Sequence, residues 1–290
     1  MKNSLRHFVA AVAGLSLCAS VASAADVKPL RVLLITGGCC HDYAKQKDIL
    51  KKGIEARANA VVDQIHSDDK GTKPPLPIYG NPEYAKGYDV VIHDECSADI
   101  KDPAVIAGVL KPHQDGIAGV NLHCAMHCYR FGEYGKPVAP GAPNAGWYEY
   151  LGLQSTGHGP QEPIAISFVD SASPITKGLE NWSTVKEELY NNIQILTGKP
   201  LAKGKQSVPQ RGKDKDGKAV TTGTKDVETV VVWTNEYGSN KTRVFSTTVG
   251  HNNATVEDAR YLDLVTRGLL WACGKLDENG QPAAGYGAKK

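Results

Sequence analysis

Apolar positions in this chain fall into short runs separated by turn-forming residues, and the runs alternate between two periods. Leu30 to Thr36 is, apart from Arg31, a Leu and β-branched run closed by Gly37-Gly38, which predicts a strand buried on both faces. Residues 44–58 instead space Ile49, Leu50, Ile54 and Ala58 at helical intervals with charges between them, and Ala60 to Ile65 is extended again. The result is a β-α-β unit. His66 to Lys86, rich in Pro, Gly and Asp, predicts a loop, and so does Phe131 to Gly146. Between them come a strand at Tyr88 to His93, a helix at Asp102 to His113 with Asp102 and Pro103 suited to its cap and first turn, and a strand at Ile117 to Leu122. The second half predicts strands at Ile164–Val169, Ile193–Leu196, Thr229–Thr234 and Arg243–Thr248. A helix then runs from about Val256 to Cys273, its apolar face carrying Leu262, Val265 and Leu269.

Alternation of this kind implies an α/β fold, a doubly wound, mostly parallel sheet with helices on both faces, in one domain over residues 25–290. The basic, Gly-rich segment Lys199 to Lys225 reads as an exposed insertion. In such sheets ligands lie beyond the carboxyl ends of the strands, where loops and helix amino termini converge.

The first 24 residues stand apart. Lys2 and Arg6 precede the apolar run Phe8 to Leu17, and Ala22-Ser23-Ala24 supplies the small residues of a cleavage site, so a cleaved secretory signal and a secreted or periplasmic location are expected. Two basic residues and no acidic one leave with that peptide, which balances the remaining bases against the 31 acidic residues. A neutral chain has no long-range field to gather nucleic acid, and no later stretch is long and apolar enough for a membrane span; the expected partner is a small molecule. An exported chain meets an oxidising compartment, in which Cys39, Cys40, Cys96, Cys124, Cys128 and Cys273 could pair.

Polar clusters collect at the ends of the predicted strands: Cys39-Cys40-His41-Asp42 after the first, His93-Asp94-Glu95-Cys96 after the third, His123 to Arg130 after the fourth, and His251 after Thr247-Thr248-Val249-Gly250. The fold should bring them together. One histidine at a strand end is usually an ordinary loop residue, but four such ends suit either acid–base work or coordination of a transition metal through neutral nitrogen. The cysteines are open to three readings: inert small hydrophobes, disulfides that staple the loops, or soft ligands and nucleophiles. Cys124 and Cys128, four apart on an expected helix, stand too far apart for an unstrained bridge, so each would pair instead with Cys39, Cys40 or Cys96. No zinc signature of the CxxC or HExxH kind is present. Asn121-Leu-His-Cys-Ala125 marks a sharp strand-to-helix turn with His123 where hydrolases of related architecture place a nucleophile, which disfavours a cysteine-nucleophile amidotransferase.

Several segments together resemble the ThuA-like family, which is linked to trehalose utilisation and shares the class I glutamine amidotransferase-like, flavodoxin-like fold. They are Ile35-Thr-Gly-Gly38 with His41-Asp42, Tyr88-Asp-Val-Val91, Gly119-Val-Asn-Leu-His123, Tyr150-Leu-Gly152, His158, Ser173 to Leu179, Glu187-Glu-Leu-Tyr190, Val232-Trp233, Arg243-Val-Phe245, Thr247 to His251, and Gly268 to Ala272. The resemblance implies a site formed by His41, His123, Glu188, Tyr190 and His251, with His123 in place of the amidotransferase nucleophile. The richness in Cys and His around it goes beyond the family pattern.

The resemblance implies an enzyme of carbohydrate catabolism, acting on a sugar or keto-sugar glycoside as a hydrolase or lyase. Such chemistry needs a base and an acid on opposite sides of one carbon, for which His123 and His251 are the candidates, with His41 and Glu188 orienting them. Asp42, Tyr190, His158, Arg130 and Trp147 are candidates for contact with substrate, and Trp147, Tyr148 and Trp233 could stack on a sugar face. Were a single zinc-like divalent metal bound, His41, His123 and His251 would supply three nitrogens and leave a position open for water. The alternative is a non-catalytic carbohydrate-binding or accessory protein with the same cleft.

Overall fold

The computed structural model describes residues 27–289, so the expected signal segment lies outside the described residues. Nine strands form one sheet in the order β2-β1-β3-β4-β9-β8-β7-β5-β6. Its first half is β1 (Leu30–Gly38), β2 (Ala60–Ser67), β3 (Val90–Cys96), β4 (Ala118–Leu122) and β9 (Thr242–Thr247), all parallel. These five strands keep the 2-1-3-4-5 order of flavodoxin-like folds. The other half is β5 (Leu153–Phe168), β6 (Trp182–Ile195), β7 (Lys199–Lys213) and β8 (Ala219–Tyr237), and every pairing there is antiparallel, including β8 with β9.

The sheet is therefore mixed, where a mostly parallel one was expected. The reason lies in the connections. A parallel neighbour needs a long crossover, usually a helix, and no helix lies between β5 and β8, whereas a tight turn can join only antiparallel strands. Along Ile164 to Phe168 burial alternates residue by residue, the mark of a sheet with one wet face. Residues 199–225 are accordingly no irregular excursion. They form most of a β7–β8 hairpin turned at Asp214–Lys218, with a buried root at Leu201, Ala202 and Gln206 and an exposed far end.

Helices cover both faces of the parallel half. α1 (Tyr43–Glu55) and α5 (Ala259–Ala272) pack Leu50, Ile54, Leu262, Val265 and Leu269 against Val32, Leu34, Val90, Ile92 and Val120. On the opposite face, α2 (Pro103–Gln114) and α3 (Gly146–Leu151) pack Ile106, Val109, Leu110 and Tyr150 against Leu33, Ile35, Val91 and Val244. Each such fully buried Leu, Ile or Val contributes roughly 1.5–3 kcal/mol over an exposed one. Asp102 caps α2 by accepting from Ala104 N at 2.8 Å, with Pro103 in the first turn. The last helix begins later than its apolar pattern suggested, because a short α4 (Asn253–Val256) precedes a break at Asp258, which caps α5 from Arg260 N.

One polar chain runs through the second core. His93 Nε2 lies 3.1 Å from His113 Nε2, His113 Nδ1 donates to Ile117 O at 2.8 Å, and His93 Nδ1 meets Glu95 Oε1 at 2.9 Å, to which Tyr129 also donates. Burial, together with the neighbouring His93, pushes the His113 imidazole down to about 3. The unfolded chain binds this proton below pH 6.5 and the folded chain does not. Stability from His113 is thus complete above pH 6.5 and is lost as pH falls toward 3, at about 1.4 kcal/mol per pH unit. Urea unfolding between pH 7 and pH 4 should show that slope, and His113→Asn should remove about one proton's worth of it while lowering stability throughout; an unchanged slope would contradict the assignment.

Candidate active site

Three strand ends deliver the histidines. β1 runs between β2 and β3, and the space at its end admits no side chain: Gly38 has φ +100°, and a Cβ there would stand 2.5 Å from Cys96 O. The chain then turns through Cys39 and Cys40 to present His41. β4 ends at Leu122, and His123 adopts φ +40° at the head of a 3₁₀ helix, His123–His127, the sharp turn read from the sequence. After β9, Gly250 at φ +135° brings His251 back toward His123, and a Cβ there would lie 2.8 Å from Tyr261 Oη. Two polar groups hold that loop. Gln46 donates to His251 O at 2.9 Å, and the buried Glu187 carboxylate accepts from His251 N at 3.0 Å and Asn252 N at 3.1 Å.

The rings of His41, His123 and His251 meet edge to face, with centroids 4.7 Å apart for His41–His123, 4.6 Å for His41–His251 and 5.5 Å for His123–His251. One ring nitrogen from each lies within 4.8 Å of the others. Glu188, on β6, closes the group: its carboxylate is 3.5 Å from His123 Nε2, 3.3 Å from His251 Nδ1 and 3.5 Å from His158 Nδ1. On each of the three imidazoles one nitrogen is engaged from behind and the other is not. His123 Nδ1 donates to Thr248 O at 2.6 Å, His251 Nε2 meets Gln161 Nε2 at 2.8 Å, and His41 Nε2 meets Cys124 Sγ at 3.0 Å. That leaves His123 Nε2, His251 Nδ1 and His41 Nδ1, all buried, without hydrogen-bond partners.

The charges are unequal. Burial would raise the Glu188 carboxyl, but His123 and His251 outweigh it and hold the group well below the ordinary carboxylate range. His251 is raised, chiefly by Glu188, whose carboxylate lies 3.3 Å from its Nδ1 and favours a proton there. His41 is pushed down to about 2 by burial and by the neighbouring imidazoles, which leaves it neutral with a lone pair to offer. With its Nδ1 proton committed to Thr248, His123 turns a lone pair toward a carboxylate oxygen. Two acceptors facing each other are reconciled only by a cation between them, either a proton or a metal ion.

A cleft of about 550 Å3 opens beside this group, lined by Cys40, His41, Asp42, Gln161, His251 and Asn253, with His123 and Glu188 behind its wall. Asp42 stands at its edge, its carboxylate accepting from Asn253 Nδ2 at 2.9 Å. A second hollow of about 560 Å3 is lined by His158, Tyr190 and Gln206 among others. Tyr190 is buried, stacked on His127 at 4.3 Å and 4.8 Å from His123. Arg130 bonds Thr156 O and lies over the Tyr134 ring.

Other expectations fail on packing. His93 does not join the cluster, because β3 continues to Cys96 and pleating turns His93 into the opposite core. Trp147 is no sugar platform: its indole N–H donates to Ala125 O at 2.8 Å and it is buried against His93, Tyr129 and Tyr150. Trp233, bonded to Leu151 O, and Tyr148 are likewise buried. Nor do Cys124 and Cys128 pair across strand ends. Among the described residues a disulfide joins the adjacent Cys39 and Cys40, while Cys96, Cys124, Cys128 and Cys273 are free. Cys128 is fixed by Ser97 N and Glu95 O, both at 3.0 Å. Sequence reasoning missed Gln161, Glu187 and Gln46. The first reaches Glu188 and His251 only because bulges in β5 set it opposite Glu188, and nothing local in the sequence marks it.

The fold and site define an α/β protein with a histidine-rich cleft at the carboxyl rim of its parallel strands. The chain belongs to the ThuA family, described as trehalose utilisation, which matches residues 31–272. Among solved structures it is similar to a ThuA-like protein of Parabacteroides merdae, with 21% identity, a TM-score of 0.58, and coverage of 91% of this chain and 98% of that one. It is also similar to a ThuA-like protein of Bacteroides uniformis, with 18% identity, a TM-score of 0.55, and coverage of 88% and 96%. These likenesses extend to the fold alone. None of the curated proteins matches the sequence. Among the described residues no helix is long and apolar enough to cross a membrane.

Because Gly250 needs a positive φ and has no room for a Cβ, Gly250→Ala should cost about 1–3 kcal/mol in urea unfolding. A loss below about 0.5 kcal/mol would show that the His251 loop relaxes without difficulty.

Proposed function

We propose that the chain is an exported enzyme acting on a sugar or keto-sugar glycoside, and that its reactive centre is a single divalent transition-metal site of zinc type built from His41, His123 and His251. One observation carries this reading: a ring nitrogen of each of His41, His123 and His251 lies within 4.8 Å of the others, and each ring keeps one buried nitrogen without a hydrogen-bond partner while its other nitrogen is engaged. The family's description supplies the carbohydrate class. The donor set fits a borderline ion, since neutral imidazoles backed by hydrogen bonds are its usual ligands.

When bound, such an ion supplies Lewis acidity toward a sugar oxygen or carbonyl. The remaining work falls to the protein. Glu188 is anionic, lies within 3.5 Å of both His123 and His251, and is the group placed to accept a proton from the substrate or from water. Gln161 holds Glu188 and His251 together, and Asp42 and Asn253 offer an acceptor and a donor to sugar hydroxyls at the cleft edge. His158, half-exposed beside Glu188, can return a proton to a leaving group. The 3.3 Å approach of Glu188 to His251, which raises that imidazole, favours a second reading in which the same residues act as acid and base without metal.

Purified protein should carry near one equivalent of metal by elemental analysis, lost on dialysis against a chelator together with turnover on a panel of glycosides and keto-sugar glycosides; turnover that persists in metal-free protein selects the acid–base reading. His123→Ala should abolish turnover and leave ligand binding within roughly tenfold. Sugar binding with no turnover on any member of the panel would mean an accessory protein that keeps the cleft without chemistry.

A further inference from the structure

The cysteines around the cleft do something the histidines do not require. Cys39 and Cys40 form a disulfide between neighbouring residues, with Cys39 partly covered and Cys40 exposed on the cleft wall. Behind them the buried thiol of Cys96, at the end of β3, stands with its sulfur 3.4 Å from Cys39 Sγ. That is the separation at which a held nucleophile reacts with its target. The position is set by the sheet: Gly38 pairs with Cys96 in the β1–β3 register, and the missing side chain at Gly38 lets the two chains close up. Cys96 faces a sulfur that is already oxidised, and disulfides exchange by attack of a thiolate on such a sulfur.

We propose that Cys39, Cys40 and Cys96 form an internal thiol–disulfide exchange centre, in which Cys96 attacks Cys39 and moves the free thiol from the protein interior to Cys40 on the cleft wall. In the step, Cys96 gives up its proton, the Cys96–Cys39 bond forms, the Cys39–Cys40 bond breaks, and Cys40 leaves as a thiolate that takes up a proton. No electrons enter or leave, so neither oxidant nor reductant is needed. The number of free thiols stays the same; only their positions change. In the exchanged form Cys40 is released from the two-residue ring in which it is held at φ +83°, and a nucleophilic sulfur stands next to His41 where a thiol-reactive molecule in the cleft meets it. Cys96 becomes part of a bridge tying the end of β1 to the end of β3. The inference does not depend on the metal or on the carbohydrate reading.

The test is chemical mapping of the wild-type protein, purified without reductant and alkylated with iodoacetamide at pH 8, then acidified and digested with trypsin without reduction. Cys39 and Cys40 fall in the tryptic peptide 32–45 and Cys96 in the peptide 87–101. Expected is a time-dependent species in which these two peptides are joined by a disulfide and the first carries one label, at Cys40. Cys96→Ser should lower Cys40 labelling at least tenfold. Recovery of peptide 32–45 unlabelled and unjoined, whether or not Cys96 has been alkylated, overturns the proposal. Should Cys96→Ser fail to fold, Cys40→Ser gives an independent arm: treated with diamide as oxidant, it should join peptides 32–45 and 87–101 directly, and failure to do so overturns the proposal as well.

Discussion

One buried carboxylate organises the working end of this molecule. Glu188 sits against His123, His251 and His158, where three imidazoles crowd together at 4.6 to 5.5 Å, and its negative charge favours any proton or cation that enters among them. Taken alone, a carboxyl at this depth would be neutralised by burial. The histidines reverse that, and the carboxylate in turn lifts His251 while His41, farther from it and hemmed in by rings, stays neutral. The group therefore sets an anion and a free lone pair within a few ångströms of each other, a combination that favours a bound cation or a mobile proton.

That arrangement depends on the two halves of the sheet being joined. The parallel half supplies His41, His123 and His251 at its carboxyl rim, but the carboxylate, Gln161 and His158 come from β5 and β6, strands of the antiparallel half. β5 and β6 lie at the far edge of the sheet in hydrogen-bonding order, yet Glu188 of β6 reaches His123 and His251 at the rim of the parallel strands. Glu187, one position earlier on the opposite side of the same strand, grips the His251 loop through two backbone N–H groups. Adjacent residues of β6 thus serve the site from two sides, one by charge and one by holding backbone.

How much of this was legible depends on distance along the chain. Leu30 to Thr36, with two glycines after it, could be little else than a central strand, and residues that follow parallel strands must emerge at one rim; for that reason His41, His123 and His251 could be grouped before any coordinates were known. His93 shares their place near a strand end in the sequence but not their rim, since β3 runs three residues beyond the expected end, and within a strand the pleat rather than the rim decides where a side chain points. Trp147 reads as an aromatic at a loop edge, yet its short helix packs it inward onto Ala125 O. The bond between Cys39 and Cys40 escaped a reading that looked for partners across the sheet.

Local pattern by itself determined the strands of the parallel half, the helices α1, α2 and most of α5, and the glycine turns, and it singled out the three histidines, because hydrophobic period and turn chemistry are properties of neighbouring residues. Tertiary structure alone decided the antiparallel direction of β5 to β8, the bulge that sets Gln161 opposite Glu188, and the 3.4 Å approach of Cys96 to Cys39. Those depend on contacts between residues tens to hundreds of positions apart, which are fixed only when the whole core closes and no short window of sequence records them.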